Sequence, residues 1–147
     1  MRESAPAPEL ASRGSRLVAQ IVDILIAVSL FFAGIVLPGS LAFLINKVNL
    51  VDAQLLFALI ELGPWVGSIL FLLYYLLADG LPNGQSLGKR LVKIAVVDDE
   101  SGTPCTLAKS AVRNLTQILG FLDWIWIFGE KRKRAGDVLA HTRVVVA

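Results

Sequence analysis

A chain of 147 residues with 55% hydrophobic content and a mean hydropathy of +0.67 is one small, strongly apolar domain. Its net charge of +2 is modest, and anionic lipid headgroups are a simpler partner for its basic half than nucleic acid. The single Cys105 rules out an intramolecular disulfide and a multi-Cys metal site, and the single His141 leaves no His-rich cluster, so no metal or cofactor is expected.

Residues 1–12, with Pro6 and Pro8 among small and polar neighbours, read as a disordered cytoplasmic lead-in. Two long apolar runs follow, at residues 17–37 and 53–78. Gln20 and Asp23 interrupt the first; Gln54, Glu61 and the Gly63-Pro64 pair interrupt the second. At about 1.5 Å per residue each crosses the ~30 Å hydrocarbon core as a helix. The first run is too long for a cleaved signal segment and carries Asp23, so it is expected to be retained. Residues 38–52 then form a short outer loop.

Asp79-Gly80-Leu81-Pro82-Asn83-Gly84 is a turn cluster that ends the second helix. Gly84-Gln85-Ser86-Leu87-Gly88-Lys89-Arg90 invites a phosphate-loop reading, which fails. It has three residues between its glycines instead of four, and Arg90 where Ser or Thr should follow the lysine. A turn that brings Lys89 and Arg90 to lipid headgroups is the better account. Residues 91–98 are rich in β-branched side chains and read as a strand or a short amphipathic element, with a turn over 99–104. From 106 to 119, Thr106, Lys109, Ser110, Arg113, Asn114 and Gln117 recur at helical spacing opposite an apolar face.

Residues 121–128 carry Trp124 and Trp126 and tempt a third span. Residues 115–128 make only about 21 Å of helix, however, and contain Asp123. A third crossing would also put Lys131, Arg132, Lys133 and Arg134 outside, against the positive-inside rule. Residues 106–128 are therefore expected to form an interfacial or re-entrant helix. Its tryptophans and the following basic cluster would lie at headgroup level. Residues 143–146 read as a strand whose natural partner is 91–98.

Ten of the fourteen Lys/Arg residues follow residue 78; Arg13 and Arg16 precede the first run, and only Lys47 lies between the two. Both termini thus read as cytoplasmic. The expected fold is an all-α membrane protein: a two-span transmembrane helical hairpin, the interfacial or re-entrant amphipathic helix and short cytoplasmic strands. Residues 13–147 make one membrane domain.

Two acids fall where lipid should be. Asp23 lies seven residues beyond Arg16, on the same helix face, and must find a partner in the inner half of the membrane. A structural ion pair explains it more simply than a cation or proton site. Glu61, in the outer half of the second span beside the Gly63-Pro64 kink, reads equally as part of an ion path with Asp23 or as a packing and oligomer contact.

Arg16-x-x-Ala19-x-x-x-Asp23, the Gly84–Arg90 stretch with Ile94-Ala95-Val96-Val97-Asp98 and Gly102-Thr103-Pro104, Arg113-Asn114, and Arg134-Ala135-Gly136-Asp137-Val138-Leu139-Ala140-His141-Thr142 follow in order. Together they resemble the RDD family of small prokaryotic membrane proteins, from about Arg13 onwards. The resemblance implies Arg16, Asp23 and Asp137 as signature residues and a multi-pass protein of the prokaryotic plasma (inner) membrane. It implies little about activity: transport has been proposed for the family, and some members are associated with sodium/proton exchange. The stretch between Arg113 and Asp137 is shorter than the family's usual one. Asp137 is expected to anchor the C-terminal segment to Arg16 or Arg90.

No nucleophile–base pair, metal cluster or phosphate loop survives inspection, so no enzyme is expected. The leading expectation is a structural or accessory subunit acting through assembly, beside other membrane subunits or as a homo-oligomer. The alternative is an oligomeric Na⁺/H⁺ transporter using Asp23 and Glu61, since two spans cannot enclose a path alone.

Overall fold

The computed structural model describes residues 9–47, 52–119 and 135–147. These form two compact units, one drawn from Met1–Asp23 and Leu76–Ala147, the other being Ile24–Tyr75.

The second unit holds the larger part of two apolar helices; the start of one and the end of the other belong to the first unit. Helix α1 runs Arg13–Lys47 and α2 runs Ala53–Leu77, and both are long and apolar enough to cross a membrane. The expected outer loop at 38–52 is a correction. Helix α1 continues through Pro38 to Lys47, about 52 Å in all at 1.5 Å per residue. Pro38 removes one amide donor, but the apolar run from Leu41 to Ile45 favours the helix, because unpaired backbone is costly wherever water is scarce. At the start of α2, Asp52 accepts from the amide of Leu55 at 2.9 Å and closes the first turn.

Within this unit the helices touch through glycine. A Cβ on Gly67 would collide with the carbonyl oxygen of Phe31, and one on Gly63 would lie 3.1 Å from the Cα of Ile35. Residue 31 opposite 67 and 35 opposite 63 make the helices antiparallel. Bare glycine surfaces let the backbones approach, which is how membrane helices gain contact when their side chains are equally content in lipid. The outward faces carry Phe32, Leu37, Phe43, Phe57 and Trp65.

The first unit is built around a small antiparallel ribbon. Strands β1 (Ile94–Asp98) and β2 (Thr142–Val146) pair with Ile94 opposite Val146 and Asp98 opposite Thr142. The chain before α1 adds an edge: Leu10 bridges to Val145, the Ala11 amide donates to Val144 O at 3.1 Å, and the Val146 amide donates to Glu9 O at 2.9 Å. Residues 9–11 are thus ordered against β2, contrary to the lead-in expected over 1–12; residues 1–8 lie outside the described residues. Ala11, Ala19, Ile94, Val96, Cys105 and Val144 form the apolar core.

Short helices surround the ribbon. After α2, two 3-10 turns, Ala78–Gly80 and Pro82–Gly84, lead into α3 (Leu87–Leu91). Gly84 has φ +67 and packs where a Cβ would strike the Val96 carbonyl, so only glycine fits the second turn. Helix α4 is Leu107–Leu119 and α5 is Ala135–Leu139. The amphipathic pattern of α4 is present, but its polar face is turned inward. Ser110, Arg113 and Asn114 are buried, while Leu107, Val112 and Leu115 are exposed. Residues 120–128, with Trp124 and Trp126, and the cluster Lys131, Arg132, Lys133 and Arg134 lie outside the described residues.

Candidate functional site: a buried charge network

The site begins at the C-terminal end of α2, where the last carbonyls of a helix lack partners within it. Ser110 Oγ and Asn114 Nδ2, one turn apart on α4, both donate to Leu76 O, at 2.7 and 3.3 Å. Their spacing places Arg113 on the same face. The next turn of chain carries Asp79, 2% exposed, whose carboxylate lies 3.3 Å from the Arg113 guanidinium. Arg113, 3% exposed, also meets Asp137 of α5, which is 1% exposed, at 2.9 Å.

Asp79 also pairs with the ammonium of Lys89 on α3. Lys89 lies in turn 4.0 Å from Asp23 of α1. The Asp23 carboxylate is held at the start of α3. It accepts from Ser86 Oγ at 2.5 Å and from the Gly88 amide at 2.9 Å. Ser86 also caps α3 by accepting from the Lys89 amide. A Cβ on Gly88 would sit 2.9 Å from the Asp23 carboxylate, so this approach needs glycine.

The charges therefore alternate: Asp23, Lys89, Asp79, Arg113, Asp137. Arg16 joins them from α1, donating to Val144 O at 3.1 Å. Gln20, one turn on, donates to Gln117 of α4 at 3.3 Å. Arg16, Gln20, Lys89, Arg113, Asp137 and Val144 enclose a cavity of about 10 Å³, the size of a single water. Three cations and three carboxylates balance, which is the condition under which charges tolerate burial.

Of the residues expected from sequence, Arg16, Asp23 and Asp137 all fall in this network. For Asp137 the structure adds a partner that the sequence did not give. Its described ion contact is Arg113; Arg90 is exposed, and Arg16 lines the same cavity. Lys89 is corrected. It is 8% exposed and neutralises Asp79 and Asp23, which removes it from the headgroup contacts expected with Arg90. Glu61 belongs to the other unit and is exposed there. Asp79, Ser110, Arg113 and Asn114 were missed as site residues. The available signal was the burial-prone company they keep: a turn acid ending a span, and a polar helix face too rich for a surface of 13 residues.

A second charged pair closes the turn after β1. Lys109 pairs with Asp98, whose carboxylate also accepts from the amides of Glu100 and Ser101 and the Ser101 hydroxyl. The lysine hydrogen bond, then the Ser101 donors, hold the Asp98 carboxyl far below its usual range, and the same contact raises Lys109. Beside them, burial pushes the Cys105 thiol up to about 11. No group of His, Cys, Asp and Glu suited to a metal ion occurs among the described residues.

The chain matches the family model described as the RDD family over residues 10–141. It belongs to the RDD family. No curated protein and no solved structure matches it. This RDD-family chain is a membrane protein with two apolar helices, and its matched region contains every member of the charge network.

Proposed function

We propose that this RDD-family protein works through assembly, as a non-enzymatic structural or accessory subunit of a larger complex in the prokaryotic inner membrane. Both termini would lie on the cytoplasmic side, with Arg90 and the Lys131–Arg134 cluster at the headgroups. The observation that carries this reading is the engagement of Asp23. Its carboxylate accepts from a hydroxyl and a backbone amide and faces a lysine, a donor set that holds a fixed anion. A transported cation would have to displace all three.

Native mass spectrometry of protein extracted gently from its own membranes tests the proposal. A stoichiometric foreign partner supports it. Cation flux in proteoliposomes that disappears with Asp23→Asn would overturn it, because a structural acid has no turnover to lose. A second reading, an oligomeric Na⁺/H⁺ transporter, draws on Glu61. That carboxyl is exposed on an apolar helix and has no partner among the described residues.

A further inference from the structure

Two of the polar side chains of helix α2, both near its middle, have no hydrogen-bond partner among the described residues. Glu61 is one. The other is the indole N–H of Trp65, a residue 71% exposed at the midpoint of Ala53–Leu77. Neither makes a hydrogen bond among the described residues. Tryptophan in membrane helices is normally found at the water boundary, where its N–H is satisfied. Glu61 is only about 6 Å along the helix from Trp65, so it too lies well inside the hydrocarbon. Both groups would be costly facing lipid.

They share one stripe. Phe57, Glu61, Trp65 and Ile69 are all exposed and four residues apart. At ~100° per residue, this stripe is centred about 200° around α2 from Gly63 and Gly67, the residues that contact α1. It points away from the hairpin partner, so α1 cannot satisfy it.

We infer that this stripe is the contact face for a second copy of the same chain, with Glu61 of each copy accepting from Trp65 of the other. The inference rests on the assembly reading and names its partner. A donor and an acceptor one helical turn apart are self-complementary about a two-fold axis along the membrane normal, which keeps both copies at equal depth. Trp65 of one copy reaches back over one turn, about 6 Å, to Glu61 of the other. Both polar groups are satisfied at once, in two equivalent bonds. A partner lacking a donor at that depth would leave the carboxyl bare.

The test uses the full chain in lipid nanodiscs. It combines native mass spectrometry with oxidative cross-linking of Ala58→Cys, on the stripe, and Ile60→Cys, exposed on another side of α2. A homodimer is expected, with cross-linking through Ala58→Cys and little through Ile60→Cys. Glu61→Leu and Trp65→Leu should each weaken dimerisation on the order of tenfold, since each removes both interhelical bonds. Glu61→Gln, which retains an acceptor, should restore most of it. A dimer that cross-links through Ile60→Cys, or one indifferent to Glu61→Leu, would overturn the inference. Monomers bound to a stoichiometric foreign subunit in native extracts would sink the self-contact but leave the assembly reading standing. Monomers with no partner in either setting would sink both.

Discussion

Arg113 meets Asp137 at 2.9 Å, joining α4 to α5 where both side chains are almost fully buried. The same guanidinium faces Asp79, so one cation is shared between two carboxylates from distant parts of the sequence. Such a pair holds the packing of three elements at one point. Removing one member strands a buried charge, which costs about 3–5 kcal/mol. Arg113→Met should therefore destabilise the detergent-solubilised protein by that order in thermal unfolding. Asp137→Asn should lower the midpoint as well, because the neutral amide no longer balances the guanidinium. If Asp137→Asn is as stable as wild type, the anchoring role of Asp137 is wrong.

Asp98 gives a pH dependence of known sign. Its folded carboxyl titrates below the ordinary value of 3.8, so the folded state favours the ionised form. This contribution is complete above the unfolded value and fades as pH falls through about 4 toward the folded one. Lowering the pH from 5 to 3 should loosen the turn at residues 98–103 in wild type, read by hydrogen exchange at the Ser101 amide. Asp98→Asn should remove most of that pH response. An unchanged response would show that other carboxylates govern the acid loss.

The spans were legible because runs of more than 20 residues with so few polar interruptions have few alternatives, and the strands because Ile94, Val96, Val97 and Val144 to Val146 are β-branched. Pro38 misled because proline reads as a breaker in water, whereas in lipid the helix is the best available way to satisfy the remaining backbone. The network was half legible. An acid such as Asp23 inside an apolar run announces a partner, but no local pattern says that the partner is Lys89, 66 positions away. Lys89 looked like a headgroup contact because basic residues after a span usually are. Its burial follows from Gly88, whose missing side chain lets α3 close onto α1 at Ala19 and Asp23.

The glycine contacts of the hairpin give a sharp contrast. Gly67→Ala drives a methyl group into the Phe31 carbonyl and should cost about 1–3 kcal/mol through overpacking. Gly39, also helical, has nothing near its absent Cβ. Gly39→Ala should be neutral or stabilise by up to about 1 kcal/mol through helix propensity. Thermal unfolding of the two variants side by side reads the difference. Equal effects would mean that the helices do not meet at Gly67.

Cys105 offers a probe of the network unit without any mutation. Its thiol is 4% exposed, and burial raises its pKa to about 11, so the reactive thiolate is scarce at neutral pH. In the folded protein at pH 7.5 it should resist maleimide for hours. Denaturant should release it, with the labelling rate following the opening of the core formed by Ile94, Val96 and Val144. Because Arg113 and Lys89 lie near enough to influence the thiol, Asp137→Asn should accelerate labelling under native conditions if the charge network holds this core closed. Labelling of that variant at the wild-type rate, with a lowered unfolding midpoint, would instead confine the role of Asp137 to the α4–α5 contact.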